Sequence, residues 1–288
     1  MRFAPVASLL ATLLLARQAA ADFVVHGAGA KERHPDDRLA YDLRIDIPLT
    51  LGLVIGGAAL QAGYTGPQTC NWCERAPDGS SDLNGVDSWT RDAIRWEHAD
   101  VAQRMSDVTG YVIVPLVGVV GGGIVAWGDG RFHEVWANGL IATEAAAVSG
   151  LLTQLVKYAA GRERPGYHAA TAEERAERKP ENGSFWSGHS SMAFSFATAS
   201  GMVASLRGYR AAWAIWAVGL TFASATAYLR VAGDRHYLSD TLSGAASGAA
   251  IGVVVPLLHH VAVSAPAPRA GRVRLVPYGA GVGLTGAF

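Results

Sequence analysis

The chain has 288 residues and a formal net charge of zero, from 24 basic and 24 acidic side chains. There is thus no basic excess to indicate a nucleic-acid partner, and none is expected. Half of the residues are hydrophobic and only 17% are charged, a composition that favours a membrane protein over a soluble one.

The first 21 residues have the pattern of a secretory signal. Arg2 precedes an apolar run at 6–16, and the small residues 19–21 provide a cleavage site before Asp22. An uncleaved N-terminal anchor is the alternative. Residues 22–44 then form a polar lead-in.

Six apolar runs predict an all-α fold, an integral membrane helical bundle of about six spans. The membrane domain extends over 45–264, and its runs are 45–62, 109–127, 135–160, 187–206, 211–229 and 237–264. A soluble all-α protein with these runs as core helices is the alternative. The tail, 265–288, alternates weakly and predicts a short extended segment.

Two polar segments interrupt the runs. The segment 63–107 contains Cys70 and Cys73, which in an exported protein favour a small disulfide loop. Unpaired thiols are the alternative, and a zinc site would need two more ligands. The segment 161–186 is rich in charged residues and is predicted to be an active-site loop.

Charged groups cluster at three places where apolar runs end. The clusters are Lys157 with Arg164 and Pro165, then Ser187-Gly188-His189, then Arg230 with His236 and Asp240. If successive helices alternate in direction, all three clusters lie at the same membrane face. The sequence therefore predicts an active site at one face of the bundle.

The residue types of these clusters indicate an anionic substrate. Lys157, Arg164 and Arg230 are cations that an anion would compensate, and the planar guanidinium group suits phosphate oxygens. Ser187 and the amide of Gly188 lie at a helix N-terminus, where phosphate binds readily.

Two histidines complete the predicted site. His236, backed by Asp240 one helical turn later, can stay neutral and attack phosphorus. His189 can protonate the leaving oxygen and then activate water. This chemistry needs neither a metal nor another cofactor.

The order Lys-x6-Arg-Pro, Ser-Gly-His, Arg-x5-His-x3-Asp resembles the signature of the type-2 phosphatidic acid phosphatase superfamily. That superfamily includes class A acid phosphatases and vanadium haloperoxidases, and the hydrophobic pattern is similar to its membrane-bound branch. The resemblance implies a phosphate-binding set of Lys157, Arg164, Ser187, Gly188 and Arg230, with His189 as general acid, His236 as nucleophile and Asp240 as its partner. Trp186 and Leu229 depart from the usual Pro and Ser, which puts the loop shape and one phosphate contact in doubt.

The sequence thus predicts a metal-independent membrane phosphatase that hydrolyses a lipid phosphate or diphosphate through a phosphohistidine intermediate. Transfer to another hydroxyl is a close variant. The alternatives are a vanadate-dependent haloperoxidase and a catalytically inactive protein that binds lipid headgroups.

The expected location is the bacterial inner membrane, with membrane lipids as partners and the site on the periplasmic face. The cysteine pair favours this oxidising side, although a cleaved signal followed by a first span would place the site inside. Within the bundle, Glu144 is predicted to pack against a polar partner, and His259 to lie at the opposite interface.

Overall fold

The computed structural model of the chain describes residues 39–62, 70–264, 274–278 and 281–285. The predicted signal at 1–21 lies outside the described residues. Residues Tyr41–His260 form one compact unit, and the described residues outside this range belong to a second.

The larger unit is built from helices. They are α1 (Leu43–Ala62), α2 (Gly85–Ile94), α3 (Ala99–Gly128), α4 (Val135–Ala160), α5 (Pro165–His168), α6 (Ala172–Glu177), α7 (Gly188–Arg207), α8 (Ala212–Ala232) and α9 (Leu238–Ser264). Two π-helical turns, Thr109–Ile113 and Val117–Gly121, interrupt α3. A short 3₁₀ turn at Phe132–Glu134 leads into α4.

Five of these helices, α1, α3, α4, α8 and α9, are long and apolar enough to cross a membrane. The sixth long helix, α7, has 20 residues and a more polar sequence. These six helices match the six predicted apolar runs to within a few residues at most ends, and five of them qualify as spans, so the predicted helical membrane bundle is confirmed and the chain is a multi-pass membrane protein. The main difference is that α3 begins at Ala99, ten residues before the apolar run.

Helix α7 lies within the bundle and packs against α3, α4 and α8. Its Ser190, Ser191 and Ser195 are fully buried, which explains how a polar helix fits a membrane bundle. Helix α9 approaches it closely, because a Cβ atom at Gly248 would overlap the backbone of Ser191. Small residues therefore allow the two backbones to touch.

The end of the bundle where α3 and α7 finish is closed by a buried polar network. Glu134 accepts hydrogen bonds from Tyr209, Arg131 and Arg207, and the side chain of Arg131 also binds the Arg207 carbonyl. Four aromatic side chains surround this end and are more than 60% exposed: Trp127, Phe132, Trp136 and Trp213. Exposed aromatic rings at one level are typical of a membrane–water interface.

The described part of the tail forms an antiparallel pair of strands, β1 (Arg274–Tyr278) and β2 (Gly281–Thr285). Arg274 pairs with Thr285 and Tyr278 with Gly281. The predicted extended segment thus folds back on itself.

Candidate active site

The three predicted clusters meet at the other end of the bundle. Lys157 lies in the last turn of α4, which Gly161 ends in a left-handed conformation with φ 55°. Ser187 is the N-cap of α7 and its hydroxyl accepts the Ser190 amide hydrogen bond. Arg230 lies in the last turn of α8. Alternating helix directions bring these ends together, as the sequence predicts.

Lys157 lies close to the start of α7, at Gly188. A Cβ atom at this position would lie 3.7 Å from the Nζ atom of Lys157 and 3.2 Å from a methyl group of Thr153. The lysine therefore reaches the positive N-terminus of α7, and only an anion would favour that arrangement.

Part of the Arg230 guanidinium group also lacks a hydrogen-bond partner in the described residues. Its side chain is nearly buried, and one terminal nitrogen donates to Ser106 Oγ at 2.9 Å. Its Nε atom is buried and has no hydrogen-bond partner within the described part of the chain. A buried guanidinium nitrogen without a partner is costly, so the site suits a ligand with acceptor oxygens.

His236 lies between α8 and α9 and is 1% exposed. Its Nδ1 atom lies 2.8 Å from the carbonyl oxygen of Ser184, and since a carbonyl only accepts, Nδ1 carries the proton. Burial lowers the pKa of His236 well below 6.5, and the positive charges of Arg164, Arg230 and Lys157 lower it further. The imidazole is therefore neutral and keeps a lone pair on Nε2.

Asp240 binds groups other than the expected histidine. Its Oδ2 atom lies 3.8 Å from His236 Nδ1, beyond hydrogen-bond distance, and instead accepts from Ser184 Oγ at 2.5 Å and the Tyr237 amide at 2.9 Å. Its Oδ1 atom accepts from Arg162 at 2.6 Å. The carboxylate thus holds the loop that supplies the Ser184 carbonyl.

Arg162 is a residue that the sequence reasoning missed. It is fully buried, and besides Asp240 it binds Glu74, Asp87 and Ser239. Its guanidinium group lies between the rings of Trp72 and Tyr237, 4.3 Å from each centroid. Its partners are distant in sequence, so the spacing of charged residues gave no signal for this cluster.

Asp87 completes the Arg162 cluster from α2. Burial by itself would raise the pKa of Asp87, but hydrogen bonds from Ser239 and Arg162 outweigh this effect and hold the pKa below its usual value. The 63–107 segment is therefore bound to the start of α9 through a charged contact.

His189 points to α3, which no motif predicted as part of the site. Its Nε2 atom lies 2.7 Å from Asp107 Oδ1, and its ring lies 4.5 Å from that of Tyr111. The same carboxylate oxygen is 3.7 Å from Arg230. The alternation of the spans gave a usable signal, because it places the start of α3 at this end of the bundle.

The two departures from the family pattern have different consequences. Trp186 follows a cis peptide bond from Phe185, and its indole nitrogen donates to Thr153 Oγ1 at 2.8 Å. Leu229 is buried and packs in an apolar cluster with Ala102 and Ala232. The leucine side chain therefore belongs to the helix packing between α3 and α8.

Cys70 and Cys73 form a disulfide with their Cα atoms 5.5 Å apart. The Asn71 amide between them donates to the Gly161 carbonyl, so this loop lies against the end of α4. Together with Glu163 the cysteines form a group of possible metal ligands in the described residues. That carboxylate already binds Arg75 and His168, and a disulfide supplies no thiolate.

A family model for the PAP2 superfamily matches residues 138–263, which include all three motifs. Among solved structures, the chain is similar to a transmembrane PAP2 type phosphatidylglycerolphosphate phosphatase from Bacillus subtilis, at 18% identity and a TM-score of 0.44. That similarity covers 73% of this chain and 93% of the other. No curated protein matches the sequence. Residues 138–263 of the chain, a little under half of its length, are therefore similar to the PAP2 superfamily.

Proposed function

We propose that this protein is a membrane phosphatase that hydrolyses a lipid phosphate or diphosphate through a phosphohistidine intermediate. The observation that carries the proposal is His236, neutral and protonated on Nδ1, with three cations close enough to lower its pKa. A neutral imidazole beside an anion-binding group is arranged for attack on phosphorus.

In the first step, the lone pair of His236 Nε2 forms a bond to phosphorus and the bond to the leaving oxygen breaks. The leaving oxygen keeps the electron pair and takes a proton from His189. Lys157, Arg164 and Arg230 stabilise the negative charge on the three remaining phosphate oxygens, and Ser187 and the Gly188 amide bind them at the N-terminus of α7.

In the second step, His189 removes a proton from water and the resulting hydroxide attacks phosphorus. The phosphorus–nitrogen bond breaks, its electron pair returns to Nε2, and inorganic phosphate leaves. No step requires a metal ion. Asp240 acts on His236 through its negative charge and by holding Ser184.

The proposal that the substrate is a lipid rests on the side chains that surround His189. Exposed apolar side chains line α3 next to it: Met105, Val108, Tyr111 and Val112, each 44–50% exposed. An acyl or prenyl chain lying along this face of α3 would place its phosphate beside Asp107 and Arg230.

The test is phosphate release in detergent, with EDTA, from phosphatidate, phosphatidylglycerol phosphate, a polyprenyl diphosphate and a lipid A phosphate. We expect release by the wild type and by His98→Ala, an exposed histidine of the same end, and none by His236→Ala. Rapid quenching should trap an acid-labile, alkali-stable phosphoprotein that His236→Ala lacks. A folded wild type that releases nothing would contradict the proposal and favour haloperoxidase activity or headgroup binding.

We place the site on the periplasmic face of a bacterial inner membrane, because the Cys70–Cys73 disulfide lies at the same end as the site. The exposed positions Glu177 and Phe132 lie at the two opposite ends. An impermeant maleimide should label Glu177→Cys in intact cells and Phe132→Cys only after permeabilisation. The reverse labelling would place the site in the cytoplasm.

A further inference from the structure

The two histidines of the site have different hydrogen-bond partners. His236 donates to a neutral carbonyl, that of Ser184, whereas His189 Nε2 lies 2.7 Å from a carboxylate, that of Asp107. A carbonyl stabilises one neutral tautomer of an imidazole, while a carboxylate stabilises the imidazolium.

We infer that Asp107 is a positioning residue that holds His189 as the protonated acid of the reaction. This inference rests on the proposed phosphatase function. With Nε2–H bound to Asp107, the proton delivered to the leaving oxygen is the one on Nδ1. Once this Nδ1 proton has passed to the leaving oxygen, the imidazole is neutral and can take a proton from water in the second step.

The Asp107 side chain is 55% exposed, and the residues on either side of it attach this part of α3 to α8. Immediately before it, Ser106 accepts a hydrogen bond from Arg230 at 2.9 Å. Two residues after it, Thr109 Oγ1 accepts from Thr226 Oγ1 at 2.9 Å, which attaches α3 to α8. The π-helical turn then begins at Thr109, and such turns are frequent at functional sites.

Close packing also fixes the distance between α3 and His189. A Cβ atom at Gly110 would lie 3.0 Å from a methyl carbon of Thr226 and 3.8 Å from His189 Cδ2. On the next residue, the Tyr111 ring covers one side of the imidazole, and its hydroxyl lies 3.5 Å from Nδ1. That distance is too long for a strong hydrogen bond, so Nδ1 remains available to a substrate.

The charges around His189 explain why it needs a carboxylate. Burial opposes protonation of His189, and so do four groups that are or can become positive: Arg230, His236, Lys157 and Arg164. Asp107 is the anion in direct contact with it. Without Asp107, only the negative charge of the substrate phosphate would stabilise the protonated form of His189.

The leaving group distinguishes this role from a structural one. An alkoxide leaves only if it is protonated, whereas p-nitrophenolate leaves without an acid. We therefore compare Asp107→Asn with wild type on dioctanoyl phosphatidate and on p-nitrophenyl phosphate, using kcat/KM because it reports the first phosphoryl transfer. The control is Asp100→Asn, an exposed carboxylate of the same helix that pairs with Arg104.

We expect Asp107→Asn to lose about 10²-fold in kcat/KM on phosphatidate and less than about 3-fold on the aryl ester, while Asp100→Asn behaves as wild type. Equal losses on both substrates, or no loss on either, would overturn the inference. A wild type inactive on every substrate would instead overturn the phosphatase function.

A second measurement does not depend on turnover. With inorganic phosphate bound, the ¹⁵N spectrum of histidine-labelled wild type should show His189 protonated on both nitrogens. Asp107→Asn should show it protonated on one, with His189→Ala used for assignment. The same protonation state in wild type and Asp107→Asn would overturn the inference whether or not the protein is a phosphatase.

Discussion

The imidazole of His236 donates its Nδ1 hydrogen to the backbone carbonyl of Ser184 at 2.8 Å. This bond selects the tautomer with a lone pair on Nε2, without requiring the Ser184 side chain. The hydroxyl of Ser184 is occupied with Asp240. One residue therefore fixes the imidazole through its main chain and the carboxylate through its side chain.

The first prediction concerns the charge of His236. Because burial and three cations lower its pKa well below 6.5, the folded protein binds fewer protons here than the unfolded chain when the pH falls below 6.5. The imidazole should stay neutral through that range, and its contribution should make the protein less stable as the pH falls. Histidine ¹⁵N spectra of wild type and His236→Ala should identify the His236 imidazole and show that it remains neutral at pH 6. Half-protonation of the His236 imidazole at pH 6.5 would contradict this.

The second prediction concerns Arg162. Arg162→Ala leaves Asp87, Asp240 and Glu74 without their shared cation, and losing one partner of a buried ion pair costs about 3–5 kcal/mol. Arg162→Lys keeps the positive charge but not the planar guanidinium group, and it should lose less stability. Unfolding in detergent by denaturant measures both. Arg104→Ala breaks an exposed pair and should cost less than about 1 kcal/mol; a comparable cost would show that the Arg162 cluster contributes little.

The third prediction concerns the contact between α7 and α9. A methyl group at Gly248 would overlap the backbone of Ser191, so Gly248→Ala should separate the two helices and destabilise the fold by about 1–3 kcal/mol. Phosphate release should fall as well, because both helices begin at the site. Gly52→Ala is the matched control: no atom lies within 4 Å of its new methyl group, and alanine favours a helix by about 0.5–1 kcal/mol over glycine. Equal stability of the two variants would refute the close-packing argument.

The fourth prediction concerns a histidine and a glutamate that contact each other inside the bundle. The expectation that His259 lies at an interface is wrong: it is 1% exposed and its Nε2 atom is 3.1 Å from Glu144 Oε2. Glu144 does pack against a polar partner, as predicted. Glu144→Leu alone leaves His259 buried without its carboxylate and should cost about 3 kcal/mol, whereas Glu144→Leu with His259→Leu should recover most of that loss. Additive losses in a double-mutant cycle would show that the two side chains do not interact energetically.

The apolar runs predicted the spans because length and hydropathy suffice to define a membrane helix. They did not predict the start of α3, since its first ten residues are polar and amphipathic. Asp107 lies in that stretch and therefore looked like part of a connecting segment.

The sequence motifs predicted one side of the site, because their residues lie at the ends of predicted helices. Lys157, Ser187 and His236 lie at helix ends whose positions follow from the alternation of the spans. The partners of Asp240 and Arg162 could not be predicted from the alternation of the spans. Glu74 and Asp87 precede Arg162 by more than 70 residues, and only the fold brings them together. The spacing of His236 and Asp240 indicated a direct bond, and the loop at Ser184 took the position of the expected acceptor.

The segment matched by the family, residues 138–263, contains Arg162 and His189 but not Glu74, Asp87 or Asp107. A chimera that joined this segment to the first two spans of another protein would separate both side chains from their carboxylates. Residues 70–108 must accompany 138–263 in any such exchange. In evolution, substitutions in the two stretches are then expected to occur together, so that the apparent connector is inherited as part of the catalytic unit.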